Sequence, residues 1–190
     1  MNISTHLLTD NKSRDLSWAI LNQIILSIGA VAIIIILSYV LEAQTFGKTR
    51  FLAAVLAIFA FFSLPGIGPV VLQQIPLYSK SGFRIALITQ LKWGVGATMG
   101  ASILAVVYVF QGDTNLARAF MIGGLLAPIA NLYLMPGTAL AGLKQFKKKT
   151  LYDGAIITSV VFGATFGAIQ TGTVAGTMFW YFGIQSVAAL

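Results

Sequence analysis

The side chains able to do chemistry in this chain are few, and most of them are amides and isolated cations. Asn22 and Gln23, Gln73 and Gln74, and Asn131 sit inside long apolar stretches. An amide in hydrocarbon is costly unless it faces protein or water, so each is a candidate to line a hydrophilic cavity or to hydrogen-bond a neighbouring helix. Arg50 lies at the outer boundary of one apolar stretch, and Arg84 and Lys92 lie at the inner side of the next. Such cations can attract a phosphate, or they can snorkel to the interface and fix helix depth. The five acids, Asp10, Asp15, Glu42, Asp113 and Asp153, all fall in the tail, in loops or at span edges. No coupling-ion carboxylate is therefore expected inside a span.

The chain has no cysteine, which removes thiol catalysis, disulfides and thiolate metal sites, and its single His6 belongs to a polar leader read as solvated. No metal-ligand cluster, nucleophile with a base, or phosphate loop closing on Lys-Ser or Lys-Thr is present; the glycines of residues 171–177 open an apolar helix and follow no strand. The expectation is a protein that is not an enzyme and needs no cofactor or metal.

The elements that must position these residues follow from composition. Of 190 residues, 57% are hydrophobic and only 9% charged, with a mean hydropathy of +0.87; soluble domains carry roughly 25% charged residues. The net charge of +7 comes without any nucleic-acid reading motif, so nucleic acid is not an expected partner. Residues 1–15 form a polar tail, and the apolar run from Leu16 to Leu41 is too long for a signal h-region, which marks it as a retained first helix.

Six apolar segments are read as spans: 16–41, 51–75, 93–110, 116–140, 152–168 and 173–190. The runs are continuous and not alternating, so the fold class is an all-α membrane bundle of six transmembrane helices and not a barrel. With the N-terminus inside, the cytoplasmic segments hold Lys12, Arg14, Lys80, Arg84, Lys92, Lys144, Lys147, Lys148 and Lys149, against only Lys48, Arg50 and Arg118 outside. That bias predicts a multi-pass protein of the cytoplasmic membrane with both termini cytoplasmic. Residues 80–92 fit either an amphipathic helix on the inner surface or a cytoplasmic extension of the third span.

Span two carries Pro65, Gly66, Gly68 and Pro69, a cluster that reads as a hinge or as a packing kink, and Pro128 in span four reads as a kink. Gly96 with Gly100, Gly163 with Gly167, and Gly172 with Gly176 are spaced for close helix approach.

The order of segments also carries a resemblance. The first span closes in LSYVLEAQTFGKTRF, residues 37–51, with Leu41, Glu42, Phe46 and Gly47; the second holds SLPGIGPVVLQQ, residues 63–74; QLKWGVGA at 90–97 enters the third; and LAGLKQFKKKTLYDGAI at 140–156 links the fourth to the fifth. In this the chain resembles the N-terminal half of polysaccharide or O-antigen flippases of the multidrug, oligosaccharidyl-lipid and polysaccharide exporter superfamily.

The resemblance spans residues 14–190 and rests on order and spacing. It implies a six-helix lobe that pairs with a second lobe, either a C-terminal half or another copy, around a hydrophilic cavity. Such a pair moves undecaprenyl-pyrophosphate-linked oligosaccharide across the cytoplasmic membrane by alternating access. On this reading the partners are membrane lipids, the lipid-linked glycan and the second lobe, and the substrate-binding candidates are Asn22, Gln23, Arg50, Gln73, Gln74, Lys92 and Asn131. The family expects a cation in the cavity, and no Lys or Arg falls at mid-span here. The alternatives are a multidrug or cation antiporter of the same superfamily, which needs a carboxylate in these helices, and a non-transporting membrane scaffold.

Overall fold

The computed structural model describes residues 3–61, 72 and 80–189, and all its elements there are helical. They are α1 (Ile3–Val40), α2 (Ala43–Ala60), α3 (Lys80–Phe110), α4 (Thr114–Ala130), α5 (Leu134–Gly142), α6 (Phe146–Thr171) and α7 (Val174–Ala189), with a 3-10 turn at Asn131–Tyr133 between α4 and α5. Four stretches are long and apolar enough to cross a membrane: Ser13–Val40, Arg84–Phe110, Thr114–Gly142 and Phe146–Thr171. The hinge candidates Pro65, Gly66, Gly68 and Pro69, and with them Gln73 and Gln74, lie outside the described residues.

Side-chain size is distributed as lipid demands. On α1, Leu16, Ile20, Ile24, Ile28, Val31, Ile35 and Tyr39 recur every three or four residues and are all exposed, as are Ile85, Ile88, Val95, Met99, Ile103, Val106 and Phe110 on α3. These are the broad apolar stripes that water would penalise and hydrocarbon accepts. The interior is built from smaller groups, with Ala101, Ala105, Ala119 and Ala130 packed around Leu52, Leu116, Phe120, Val174 and Met178. Small residues let helix backbones approach closely where apolar burial gives no net drive.

The inter-helix contacts also set directions. Trp18 meets Thr150, Asn22 meets Asp153, Gly29 meets Ile157 and Leu37 and Leu41 pack with Ala168, so α1 and α6 run parallel. Gly167 lies against Gly176 and Trp180, and Gly163 against Ile184, which makes α6 and α7 antiparallel. Helix α4 is antiparallel to α3, through Gly94 with Pro128 and Ala101 with Gly124. It is parallel to α2, through Phe51 with Phe120 and Leu56 with Gly123. It is also parallel to α7, through Arg118 beside Ala175 and Leu126 beside Ser186. Helices α1, α3 and α6 therefore run one way, and α2, α4 and α7 run the other.

One open alternative is decided, and two boundaries differ from the sequence expectation. Residues 80–92 belong to one continuous helix with 93–110, which settles them as an extension of α3. Helix α2 opens at Ala43, so Lys48 and Arg50 sit in its first two turns and not in a loop. Helix α6 opens at Phe146, six residues before the expected start of its span, because lysines can occupy a helix end while their charged tips reach out.

The fourth span breaks where proline dictates. Pro128 has no N–H to give the carbonyl of Gly124 four residues earlier. In a membrane an orphaned carbonyl needs another donor, and the Thr98 hydroxyl of α3 donates to it at 2.8 Å. Three residues beyond Pro128, the chain tightens into the 3-10 turn. Of the glycine pairs, Gly163 and Gly167 do bring two helices together, whereas Gly172 sits at φ +58° and ends α6 as its left-handed cap.

Thr98→Val is expected to destabilise the detergent-solubilised protein by about 0.6–2 kcal/mol, with Thr98→Ser close to neutral. In a Pro128→Ala background, where residue 128 regains its N–H, the Thr98→Val penalty should shrink in a double-mutant cycle of unfolding free energies. An unchanged penalty would show that the Thr98 hydroxyl does not replace the proline's missing donor.

Candidate functional site

Helix α1 buries a single polar side chain among the described residues, Asn22. It is placed on the stripe that faces α6, one turn above Trp18, and its amide is used at both ends. Asn22 Nδ2 donates to Asp153 Oδ2 at 2.9 Å, and Asn22 Oδ1 accepts from Lys149 Nζ at 3.3 Å. Lys149 closes the triangle through a short ion pair with the same Asp153 Oδ2. Helix α5 covers the group from a third side: a Cβ at Gly137 would lie 2.7 Å from Asp153 Oδ1, so only glycine lets α5 pass this close.

Neighbouring bonds hold the frame. The Thr150 hydroxyl, buried one turn from Asp153, shares its one proton between the Trp18 carbonyl at 3.0 Å and the Phe146 carbonyl at 2.9 Å. The Tyr152 hydroxyl donates to the Tyr133 carbonyl at 3.1 Å, just past the break in the fourth span.

This overturns one expectation. Asp153 is not exposed in a loop; it stands two turns inside α6, within the Phe146–Thr171 stretch, and is only 7% exposed. Lys149, expected in a cytoplasmic loop, is in the same stretch with a quarter of its side chain accessible. The misplacement came from reading the span from the apolar run alone. The available signal was the four-residue spacing of Lys149 and Asp153, which puts opposite charges on one helical face.

The other candidates are dispersed. Gln23 is exposed on α1, and Asn131 is half-buried as the first residue of the 3-10 turn. Arg50 and Lys92 are both exposed. Phe51 touches Tyr108, so Arg50 is level with that part of α3, while Lys92 lies sixteen residues before it, about 24 Å along the axis. The two cations cannot hold one anion together. Two further polar residues that were not singled out, Gln185 and Ser186 on α7, are buried in the bundle.

The far end of the bundle has its own ion pair. Asp113 caps α4 by accepting from the Leu116 N–H at 3.1 Å and pairs with Lys48 of α2 at 2.5 Å. The hydrogen bond from Lys48, then that from Leu116, holds the Asp113 carboxyl below its ordinary value of 3.8.

No protein-family model, curated protein or solved structure matches the chain. Its chemistry is read from the geometry alone: a lysine held by a buried carboxylate and amide, at the junction of α1, α5 and α6.

Two outcomes are expected. Asp153→Ala, which strands the Asn22 amide and leaves Lys149 without its counter-charge, should cost about 1–3 kcal/mol. Replacing the triad together, Asn22→Leu with Lys149→Met and Asp153→Leu, should cost less than that single change, because no uncompensated polar group remains; detergent-phase unfolding compares them. At the other end, a carboxyl whose pKa is lowered in the folded state stabilises it above the unfolded value. The stability difference between the wild type and Asp113→Asn should therefore be full above about pH 5 and vanish as pH falls through and below 3.8.

Proposed function

We propose that this chain is one six-helix lobe of a membrane transporter that moves a lipid-linked oligosaccharide by alternating access, with Lys149 as the cation that receives the diphosphate. The observation that carries the reading is the Asn22–Lys149–Asp153 triad. An ionisable group inside a membrane-crossing helix is expensive, and the usual reason to keep one is a substrate or ion path. Lys149 is the most accessible member, held by a partner it can exchange. A phosphate oxygen would take over Lys149, and Asp153 would keep its hydrogen bond from Asn22. That exchange weakens the tie between α1 and α6, which is the kind of coupling alternating access needs.

The alternation of helix direction supports six crossings, with α2 and α7 completing the set begun by the four longer stretches. At 16 residues α7 is about 24 Å long, enough for a thinned or tilted passage. The exposed Lys144, Lys147 and Lys148 favour a cytoplasmic position for that end of the bundle. A second lobe, continuous with this chain or a second copy, would close the cavity.

The cation-antiporter alternative gains from the same residue, since Asp153 is a carboxylate within these helices. It predicts transport driven by a proton gradient and abolished by Asp153→Asn without any glycan.

The test is reconstitution into vesicles containing a fluorescent diphosphate-linked oligosaccharide on a polyprenyl tail, scored by the fraction of glycan reached by an external lectin. Transfer above protein-free vesicles, lowered about ten- to a hundredfold by Lys149→Ala, is the expected result. Transfer no faster than in empty vesicles would leave the scaffold reading in place.

A further inference from the structure

A second feature of α6 lies on its other side. Between α6 and α7 an open groove of about 590 Å³ is lined by Tyr152, Ala155, Ser159, Phe179, Gly183 and Val187 among others, nearly all apolar surface. Lys148, exposed, falls on the same helical face as Tyr152, Ala155 and Ser159, at spacings of four, seven and eleven residues. Lys149, one residue on, faces α1 instead. Among the described residues neither Lys148 nor its exposed neighbours Lys144 and Lys147 makes an ion pair. Three cations are thus gathered at the end of a helix that has no acid in its first turn.

We propose that this groove is a binding site for an anionic glycerophospholipid, with the headgroup phosphate on Lys148 and one acyl chain along the α6–α7 groove. Two observations select this occupant. The eleven residues from Lys148 to Ser159 rise about 16 Å, close to the depth of one leaflet. The charge at the mouth is positive and has no ion-pair partner among the described residues, so it discriminates in favour of an anionic head over a zwitterionic one. The inference rests on the chain lying in a membrane and does not need it to transport anything.

The experiment is native mass spectrometry of the full chain released from detergent, with phosphatidylglycerol and phosphatidylcholine supplied in equal amounts. Wild type should retain phosphatidylglycerol in preference, and Lys148→Gln should lower that preference about fivefold, the worth of one lysine beside an anionic head. A Cβ at Gly183 meets nothing within 4 Å, so Gly183→Leu starts a side chain in open space at the groove and should reduce retention of both lipids. Arg84→Gln, an exposed cation on α3, should change neither. Equal retention of the two lipids by the wild type would overturn the site. So would equal losses from Lys148→Gln and Arg84→Gln, since the attraction would then be a diffuse effect of net charge.

Discussion

A carboxylate between two apolar helices is tolerated only where its charge is answered on the spot, and the fit of α1 onto this bundle depends on how Asp153 meets that demand. Its charge is taken up by Lys149 from its own helix and by the Asn22 amide from α1. Stranding either partner costs more than the pair is worth, so the arrangement fixes register more than it adds stability. Asn22 opposite Asp153 sets Trp18 beside Thr150, Gly29 against Ile157 and Leu37 near Ala168. Moving α1 by one turn would put Ile25 or Leu26 against the carboxylate. The parallel course of α1 and α6 follows from this pairing.

The remaining helices obey the same rule for backbone groups. Pro128 frees a carbonyl that lipid cannot satisfy, and the structure meets this with a hydroxyl from α3 and a tightened turn. Gly94 is small because Pro128 presses against it: a Cβ there would lie 2.7 Å from the proline ring. The break also matters to the polar triad. By turning at Asn131–Tyr133 the chain delivers α5 with Gly137 against Asp153, and the Tyr133 carbonyl to the Tyr152 hydroxyl. A straight helix through this region would carry both contacts elsewhere.

These dependencies explain what was legible in the sequence. Continuous apolar runs located α1, α3, the fourth span and α6, since length and polarity are all that crossing hydrocarbon demands. Pro128 was readable as a kink because its effect is local. Asn22 was readable as buried and polar, but its partners were not. Asp153 and Lys149 sit in KKKTLYD, a segment whose charge looks like a loop until the helix is known to begin at Phe146. Arg50 and Lys92 were read from the order of the spans as cations on opposite sides, and the packing of α2 on α3, with Phe51 against Tyr108, keeps them about 24 Å apart along the axis. The amide of Asn131, read as lying in mid-span, is instead at the point where the helix changes pitch.

Lys148 and Lys149 show why adjacency in sequence is a poor guide to shared purpose in a membrane helix. Successive residues are turned by about 100°, so one lysine meets α1 while the other, exposed, falls on the helical face of Tyr152, Ala155 and Ser159. The inward one is neutralised by Asp153 and held by Asn22, and exchanging its partner would disturb the packing of two long helices. The outward one has no ion-pair partner among the described residues, and a headgroup can bind it without moving the fold. A substitution that neutralises both confounds a change in helix packing with a change in lipid attraction. The two faces must be separated residue by residue, because the positive-inside charge count treats them as equal while one is tied to Asp153 and Asn22 and the other has no ion-pair partner among the described residues.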